Sequence, residues 1–372
     1  MNIAFLYIAE AYQCYHGAGI AHALASQPGV TVDSYYNDPE SPAQLERIRI
    51  ALGARPMTCR RLERSPLTRA MQRGFRRFGM FKSLVMLDNR RLLNGYDAIV
   101  AVEDTVSLAR RLGIRHPRLI LYPHGAGDRA RSFSHHAKPF DLVLLSGPKS
   151  AQRMIDSGFV RPDRCATVGA VKLETCAALQ RQASPFFAEP RPIVLYSAHK
   201  APGLTSWPLF IEPMLAEFAA QSDFNLVVAP HVKMFRRRDE TLRAAWEARS
   251  TDHILIDTAS DRLLDMTYTE AADIFVGDVS SQVYEFLSRP RPCVFLNAHG
   301  VAWQGDPNFA HRQLGDVVDD PRGLMQAIRA APARHHLYRA RQEEMARASL
   351  GEVAGASARA AAAILDFMHR PR

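Results

Sequence analysis

Short apolar runs alternate with longer polar or amphipathic segments along almost the whole chain, and chemically active residues gather where the runs stop. Asn2 to Ala9, Val30 to Tyr36, Asp97 to Val102, Arg118 to Tyr122, Asp141 to Leu145 and Ala166 to Val168 read as strands. Helical patterns at Ile20 to Ser26, Ser107 to Leu112 and Ser150 to Ser157 separate them. Uninterrupted apolar runs suit strands buried on both faces, as in a parallel sheet covered by helices. Pro185, Pro190 and Pro192 interrupt the pattern, which then restarts. Ile193 to Tyr196, Phe224 to Ala229, His253 to Ile256, Ala272 to Val276 and Cys293 to Leu296 are the further strands. Pro208 to Ala219, Arg237 to Ala248, Asp261 to Ala271 and Ser280 to Leu287 read as helices. The expected architecture is α/β, with two doubly wound Rossmann-like domains facing across a cleft. The first covers 1–187 and the second 188–350, and a last helix in 351–372 crosses back.

Composition excludes several classes. The five cysteines (14, 59, 165, 176 and 293) are scattered, with no CxxC, which disfavours a disulfide framework or a cysteine zinc site and fits a reducing cytoplasm. The adjacent histidines of the pairs 135–136 and 335–336 do not share a face, and no carboxylate sits at a useful spacing beside them, so no metal is expected. No apolar run approaches the ~20 residues that span a bilayer. Met1 to Glu10 lacks the basic start of a signal peptide and reads as a first strand. The net charge of +9 is concentrated: residues 60–91 carry ten basic and two acidic residues of the chain's 47 and 38. The rest is nearly neutral, so a nucleic-acid-binding surface is not expected.

In doubly wound sheets ligands bind beyond the carboxyl ends of the strands. Tyr122 is followed by Pro123-His124-Gly125-Ala126-Gly127, Tyr196 by Ser197-Ala198-His199-Lys200, Ala229 by Pro230-His231, and Val276 by Gly277-Asp278-Val279-Ser280-Ser281. Histidine near its unperturbed pKa of about 6.5 can accept a proton from a hydroxyl. Gly125 and Gly127 let the backbone approach a ligand. Ser280 and Ser281 cap a helix, and their hydroxyls with the free N–H groups suit a phosphate. Together these strand ends point to an anionic ligand.

The basic segment has its own pattern. Ser65-Pro66 is a helix start, and Met71, Phe75, Phe78, Phe81 and Val85 fall on the side of Leu67, opposite Arg69, Arg73, Arg76 and Arg77. The pattern over Ser65 to Leu87 reads as an amphipathic helix, which Gly74 and Gly79 weaken. It either packs on its own domain or lays its arginines on an anionic membrane surface, with Lys82 snorkelling from the apolar side.

Taken in order, these blocks resemble the CDP-glycerol glycerophosphotransferases, the teichoic-acid and capsule polymer transferases of GT-B fold. The resemblance runs from about 118 to 360, through His124-Gly125, Val168-Gly169-Ala170-Val171-Lys172-Leu173-Glu174, Tyr196 to Lys200, Ala229-Pro230-His231, Ala272 to Ser281, Glu285-Phe286, Arg291-Pro292 and Gly355 to Arg359. It departs from the family pattern at Ala126-Gly127, Arg129, Ala229, Glu174 and Glu285. The resemblance implies transfer of a glycerol-phosphate-like unit from a CDP-activated or other nucleotide-activated donor to a lipid-linked or saccharide acceptor, without a metal or other cofactor. By it, His124 deprotonates the acceptor hydroxyl and His231 holds the attacked phosphate. Lys200, Asp278, Ser280, Ser281 and Glu285 form the donor site in the C-terminal domain. The acceptor belongs to the N-terminal domain, at the inner face of the cell membrane. The alternative is another GT-B enzyme, a glycosyltransferase or a relative of the UDP-GlcNAc 2-epimerases.

Overall fold

The computed structural model describes residues 1–74, 81–123, 125, 127–129, 133–180, 185–236 and 238–371, the side chains of 72–74 excepted. The chain forms two compact units, one of residues 1–124, 133–179 and 349–372, the other of residues 125–132 and 180–348.

In the first unit the described residues form seven parallel strands: β1 (Asn2–Tyr7), β2 (Thr31–Tyr36), β3 (Thr58–Arg61), β4 (Ala98–Ala101), β5 (Arg118–Leu121), β6 (Leu142–Leu145) and β7 (Cys165–Thr167). Their order is β3-β2-β1-β4-β5-β6-β7. Ile3 sits opposite both Val32 and Ala98, so β1 lies between β2 and β4, and the chain winds outward from it first on one side and then on the other. Every residue of β4, β5 and β6 is buried, which is why these segments, Arg118 apart, are apolar without alternation. β3 escapes that pattern: Thr58-Cys59-Arg60-Arg61 is an edge strand exposed along its length, and its arginines discourage pairing with another chain.

The last helix, Ala356–His369, packs on the helix Cys14–Ala25 of this same unit. The small residues of that early helix make the contact: a Cβ on Gly19 would lie 2.4 Å from Ser357 Oγ. Glu174 accepts a hydrogen bond from Ser357 N–H at 2.8 Å. Buried Arg118 donates to the carbonyls of Phe367 and Arg370 and lies 4.9 Å from the Phe367 ring centroid.

Over residues 66–87 the basic segment is helical where it is described. Two helices are seen, Pro66–Gly74 and Phe81–Asp88, while residues 75–80, including Phe75, Arg76, Arg77 and Phe78, lie outside the described residues. Ser65 does cap the first, accepting from Thr68 N–H at 3.2 Å. Thr68 is buried and Leu67 is 66% exposed, so the buried line is turned from the expected one. In the second helix Val85 is in the core and Phe81 packs against it. Lys82 does not snorkel: its ammonium is paired with the buried carboxylate of Glu103. Arg69 is exposed, and the side chain of Arg73 is outside the description. No helix among the described residues is long and apolar enough to cross a membrane.

In the second unit the described residues form six parallel strands: β8 (Ile193–Ser197), β9 (Asn225–Val228), β10 (Ile254–Ile256), β11 (Ile274–Gly277), β12 (Cys293–Leu296) and β13 (Asp316–Val318). The order β10-β9-β8-β11-β12-β13 places the reversal of winding between β8 and β11. At that reversal a Cβ on Gly277 would lie 2.5 Å from Ser197 O, so only glycine lets the two strands approach. Val194, Tyr196, Leu226, Val228, Val276 and Val294 share one core with Phe210 and Met214 of helix Trp207–Ala219. The helix expected over Asp261 to Ala271 is broken. Met266, the N-cap of the short helix Thr267–Ala271, takes φ +66°, and Asp265 Oδ1 accepts Thr267 N–H at 3.0 Å.

Candidate functional site

The crevice at a winding reversal is the usual ligand site of a doubly wound sheet. In the second unit it lies beyond β8 and β11, and Asp278 stands at its base. Asp278 is buried directly after β11, and its Oδ2 accepts the backbone N–H of His199 at 2.7 Å and of Ser206 at 2.9 Å. One carboxylate thus holds both ends of the loop leaving β8. Burial pushes its pKa up to about 6, against the lowering effect of those hydrogen bonds and of Arg312. Ser197 Oγ donates to Gln282 Oε1 at 2.5 Å and ties β8 to the helix after β11.

Two histidines line the loops above. His199 Nδ1 accepts Ala201 N–H at 2.9 Å, and its Nε2 lies 2.9 Å from Arg129 Nη1. A neutral imidazole accepts at one nitrogen only, so one of these two donors meets the ring lone pair and the other faces the ring N–H, and a second ring proton is disfavoured. Burial, then Arg129 and Lys200, lower its pKa to about 4. The His231 ring sits edge-on to it, with centroids 6.1 Å apart. Lys233 N–H donates to His231 Nδ1 at 3.1 Å. A neutral His231 therefore carries its proton on Nε2, where it can only donate. Burial, then Lys200, His199 and Lys233, lower its pKa to about 3. The His231 Nε2–H donor beside exposed Lys200, with Arg129 on His199, makes a place suited to a phosphate and poorly suited to a cation.

The serines after β11 divide in role. Ser280 Oγ accepts Gln282 N–H at 3.2 Å and closes the turn, as a plain capping residue does. The helix that follows, Gln282–Phe286, is shorter than expected and begins after both serines. Gly125 has φ +87°, and a Cβ on it would lie 3.2 Å from Ser281 Oγ. A Cβ on Gly127 would be 3.6 Å from Ser281 N, so the glycines bring their loop against this turn. Glu285 is buried on the short helix. His124 and Ala126 lie outside the described residues.

Sequence reasoning missed a second buried group. Asp128, directly after Gly127, has its two carboxylate oxygens 2.6 and 2.7 Å from Tyr284 Oη. It also accepts His311 N–H at 3.0 Å. His311 is edge-on to Phe295, with ring centroids 5.1 Å apart. The neighbouring Arg312 is buried and donates to Asn297 Oδ1 at 2.8 Å and Leu296 O at 3.3 Å. Asp128 and Arg129 had a legible signal, a carboxylate and a guanidinium directly after a glycine pair. His311 and Arg312 follow no apolar run and had none.

No family model matches the sequence, and no curated protein matches it. Solved structures do. Staphylococcus aureus MnaA in complex with UDP superimposes with TM-score 0.67 at 14% identity, over 100% of this chain and 98% of that one. The UDP-GlcNAc 2-epimerase of Methanocaldococcus jannaschii gives 0.65 at 11%, over 99% and 100%. The wall teichoic acid polymerase TagF, in a structure with CDPG, gives 0.64 at 11%, over 99% and 88%. The chain has the GT-B fold. At these identities the likeness concerns the fold, and the chemistry rests on the residues of the site.

Proposed function

We propose that the protein transfers glycerol phosphate, or a related polyol phosphate, from a CDP-activated donor to a hydroxyl of a lipid-linked or saccharide acceptor in cell-surface polymer biosynthesis. The observation that carries this reading is the group formed by His199, Arg129, Lys200 and His231 beyond β8 and β9. It presents cationic and neutral donors where the pyrophosphate of a nucleotide donor would lie. The order of blocks from His124-Gly125 through Pro230-His231 to Asp278-Val279-Ser280-Ser281 supports the choice of donor.

The acceptor oxygen attacks the β-phosphorus of the donor, the bond from that phosphorus to the bridging oxygen breaks, and CMP leaves. His124 takes the acceptor proton. His231 donates from Nε2 to a phosphate oxygen as charge grows on it, and Lys200 neutralises charge on the departing CMP. Ser280 and Ser281 hold the donor phosphates, with Gly125 and Gly127 shaping the approach, and Glu285 belongs to the ribose side. Asp278 acts through the loop it holds. No metal or cofactor enters. The acceptor is met by the first unit, with Arg69, Arg73, Arg76 and Arg77 on the inner face of an anionic membrane.

The test is His231→Ala and His124→Ala, with release of CMP from CDP-glycerol measured in the presence of a lipid-linked or saccharide acceptor. Loss of a single catalytic proton transfer or of an oxyanion-type donor lowers kcat about 100-fold or more. Full activity in both folded variants refutes the assignment.

A further inference from the structure

A second cationic site lies in the first unit, at the amino ends of its strands, opposite the carboxyl ends where a ligand of such a sheet is held. Arg110, Arg115, His116, Arg118, Asp141 and Arg164, with Phe367 and Pro371, line a cavity of about 260 Å³. Arg118 opens β5 and Asp141 directly precedes β6, so the cavity is at the amino ends of these strands.

Four guanidiniums meet one carboxylate here. Asp141 is already engaged: it accepts from Arg110 Nη2 at 2.8 Å and from Leu119 N–H at 2.8 Å. Arg110 also donates to Arg115 O, and Arg118 is spent on the carbonyls of Phe367 and Arg370. Arg115 and Arg164 have no side-chain hydrogen bond or ion pair among the described residues. His116 Nδ1 sits 2.9 Å from Tyr96 O, which fixes the proton on that nitrogen. The lining thus carries three positive charges in excess, two of them on exposed arginines, around a volume large enough for a small solute. Like charges converging on one cavity repel unless an anion joins them, and arginine forks match phosphate oxygens in geometry.

We propose that this cavity binds a compact phosphorylated metabolite, with Arg115 and Arg164 clasping its phosphate and Arg110 and Arg118 supplying the fixed field behind it. Phe367 and the carbonyls of Phe367 and Arg370 belong to the last helix and its end. A ligand here therefore also steadies the segment that packs on helix Cys14–Ala25.

Isothermal titration of the full chain tests this at low salt, with inorganic pyrophosphate in one arm and a hexose phosphate in the other. Three proteins are compared: wild type, Arg115→Gln with Arg164→Gln, and Lys200→Ala with His231→Ala. Loss of two charge-assisted contacts is expected to weaken binding at this cavity by about tenfold or more. That binding event is retained in the Lys200 and His231 variant, which separates it from the donor site. Equal binding of both probes by the wild type and the double glutamine variant overturns the proposal. So does a single binding event that disappears with Lys200 and His231. A response to the hexose phosphate alone identifies an organic phosphate as the ligand, and a response to both identifies the phosphate group as the determinant.

Discussion

Asp278 is the residue whose replacement reports most on how the second unit is built. Its Oδ2 receives two buried backbone donors, from His199 and Ser206. Asp278→Ala leaves both without an acceptor, at about 1–3 kcal/mol each. The alanine variant should therefore lose about 2–6 kcal/mol. Asp278→Asn keeps a carbonyl oxygen in the same place and removes only the charge. The wild-type carboxyl has its pKa raised by burial from 3.8 to about 6, a difference of about 3 kcal/mol. Between those values the folded chain holds a proton that the unfolded chain has released, so wild-type stability falls as pH rises through this window. The two proteins should lie within about 1 kcal/mol of each other near pH 4, and the asparagine variant should be more stable by about 3 kcal/mol near pH 8. Urea unfolding of wild type, Asn and Ala variants at both pH values makes the comparison. An asparagine variant that loses stability against wild type as pH rises, or an alanine variant no weaker than asparagine, refutes the reasoning.

Two further outcomes follow from the first unit. Gly19→Val forces side-chain atoms into the place of Ser357 Oγ and Thr175 Oγ1, which a Cβ would already meet at 2.4 and 3.0 Å. Overpacking of this kind costs about 1–3 kcal/mol, and it should appear as a lower Tm and faster proteolysis ahead of helix Ala356–His369. An unchanged Tm and digestion pattern contradicts the packing described. The basic segment should make the protein cosediment with anionic vesicles at low salt, and replacing Arg69, Arg73, Arg76 and Arg77 together by Gln should abolish this. Each basic residue near such a surface contributes about 1 kcal/mol. Persistent cosedimentation of the fourfold variant would leave the arginines as a solvated face.

The fold was legible because strands buried on both faces cannot afford polar residues. β4, β5, β6, β8 and β11 therefore stand out as apolar runs. β3 and β13 did not stand out, since Thr58–Arg61 is exposed throughout and Asp316-Val317 is only half buried. In the basic segment the periodicity placed Leu67 on the buried side, but the structure buries Thr68 and leaves Leu67 exposed, because the helical phase relative to the core is set by packing. At the site, residues directly after an apolar run were found, because strand direction alone delivers His199, Lys200, His231 and Asp278 to one end of the sheet. Tyr284, His311 and Arg312 reach their partners through packing of a helix and a loop on the sheet, which no local spacing encodes.

The central claim is the donor and the bond that breaks. The direct measurement is a panel of CDP-glycerol, CDP-ribitol, UDP-GlcNAc and CMP-linked sugars, scored by thermal stabilisation and by the nucleotide product released with an acceptor present. A ligand bound only by the folded chain raises Tm with the logarithm of its concentration over Kd. The account predicts stabilisation by a CDP-polyol and release of CMP. Stabilisation by UDP-GlcNAc alone, with its conversion to the 2-epimer and no CMP from any donor, would contradict it.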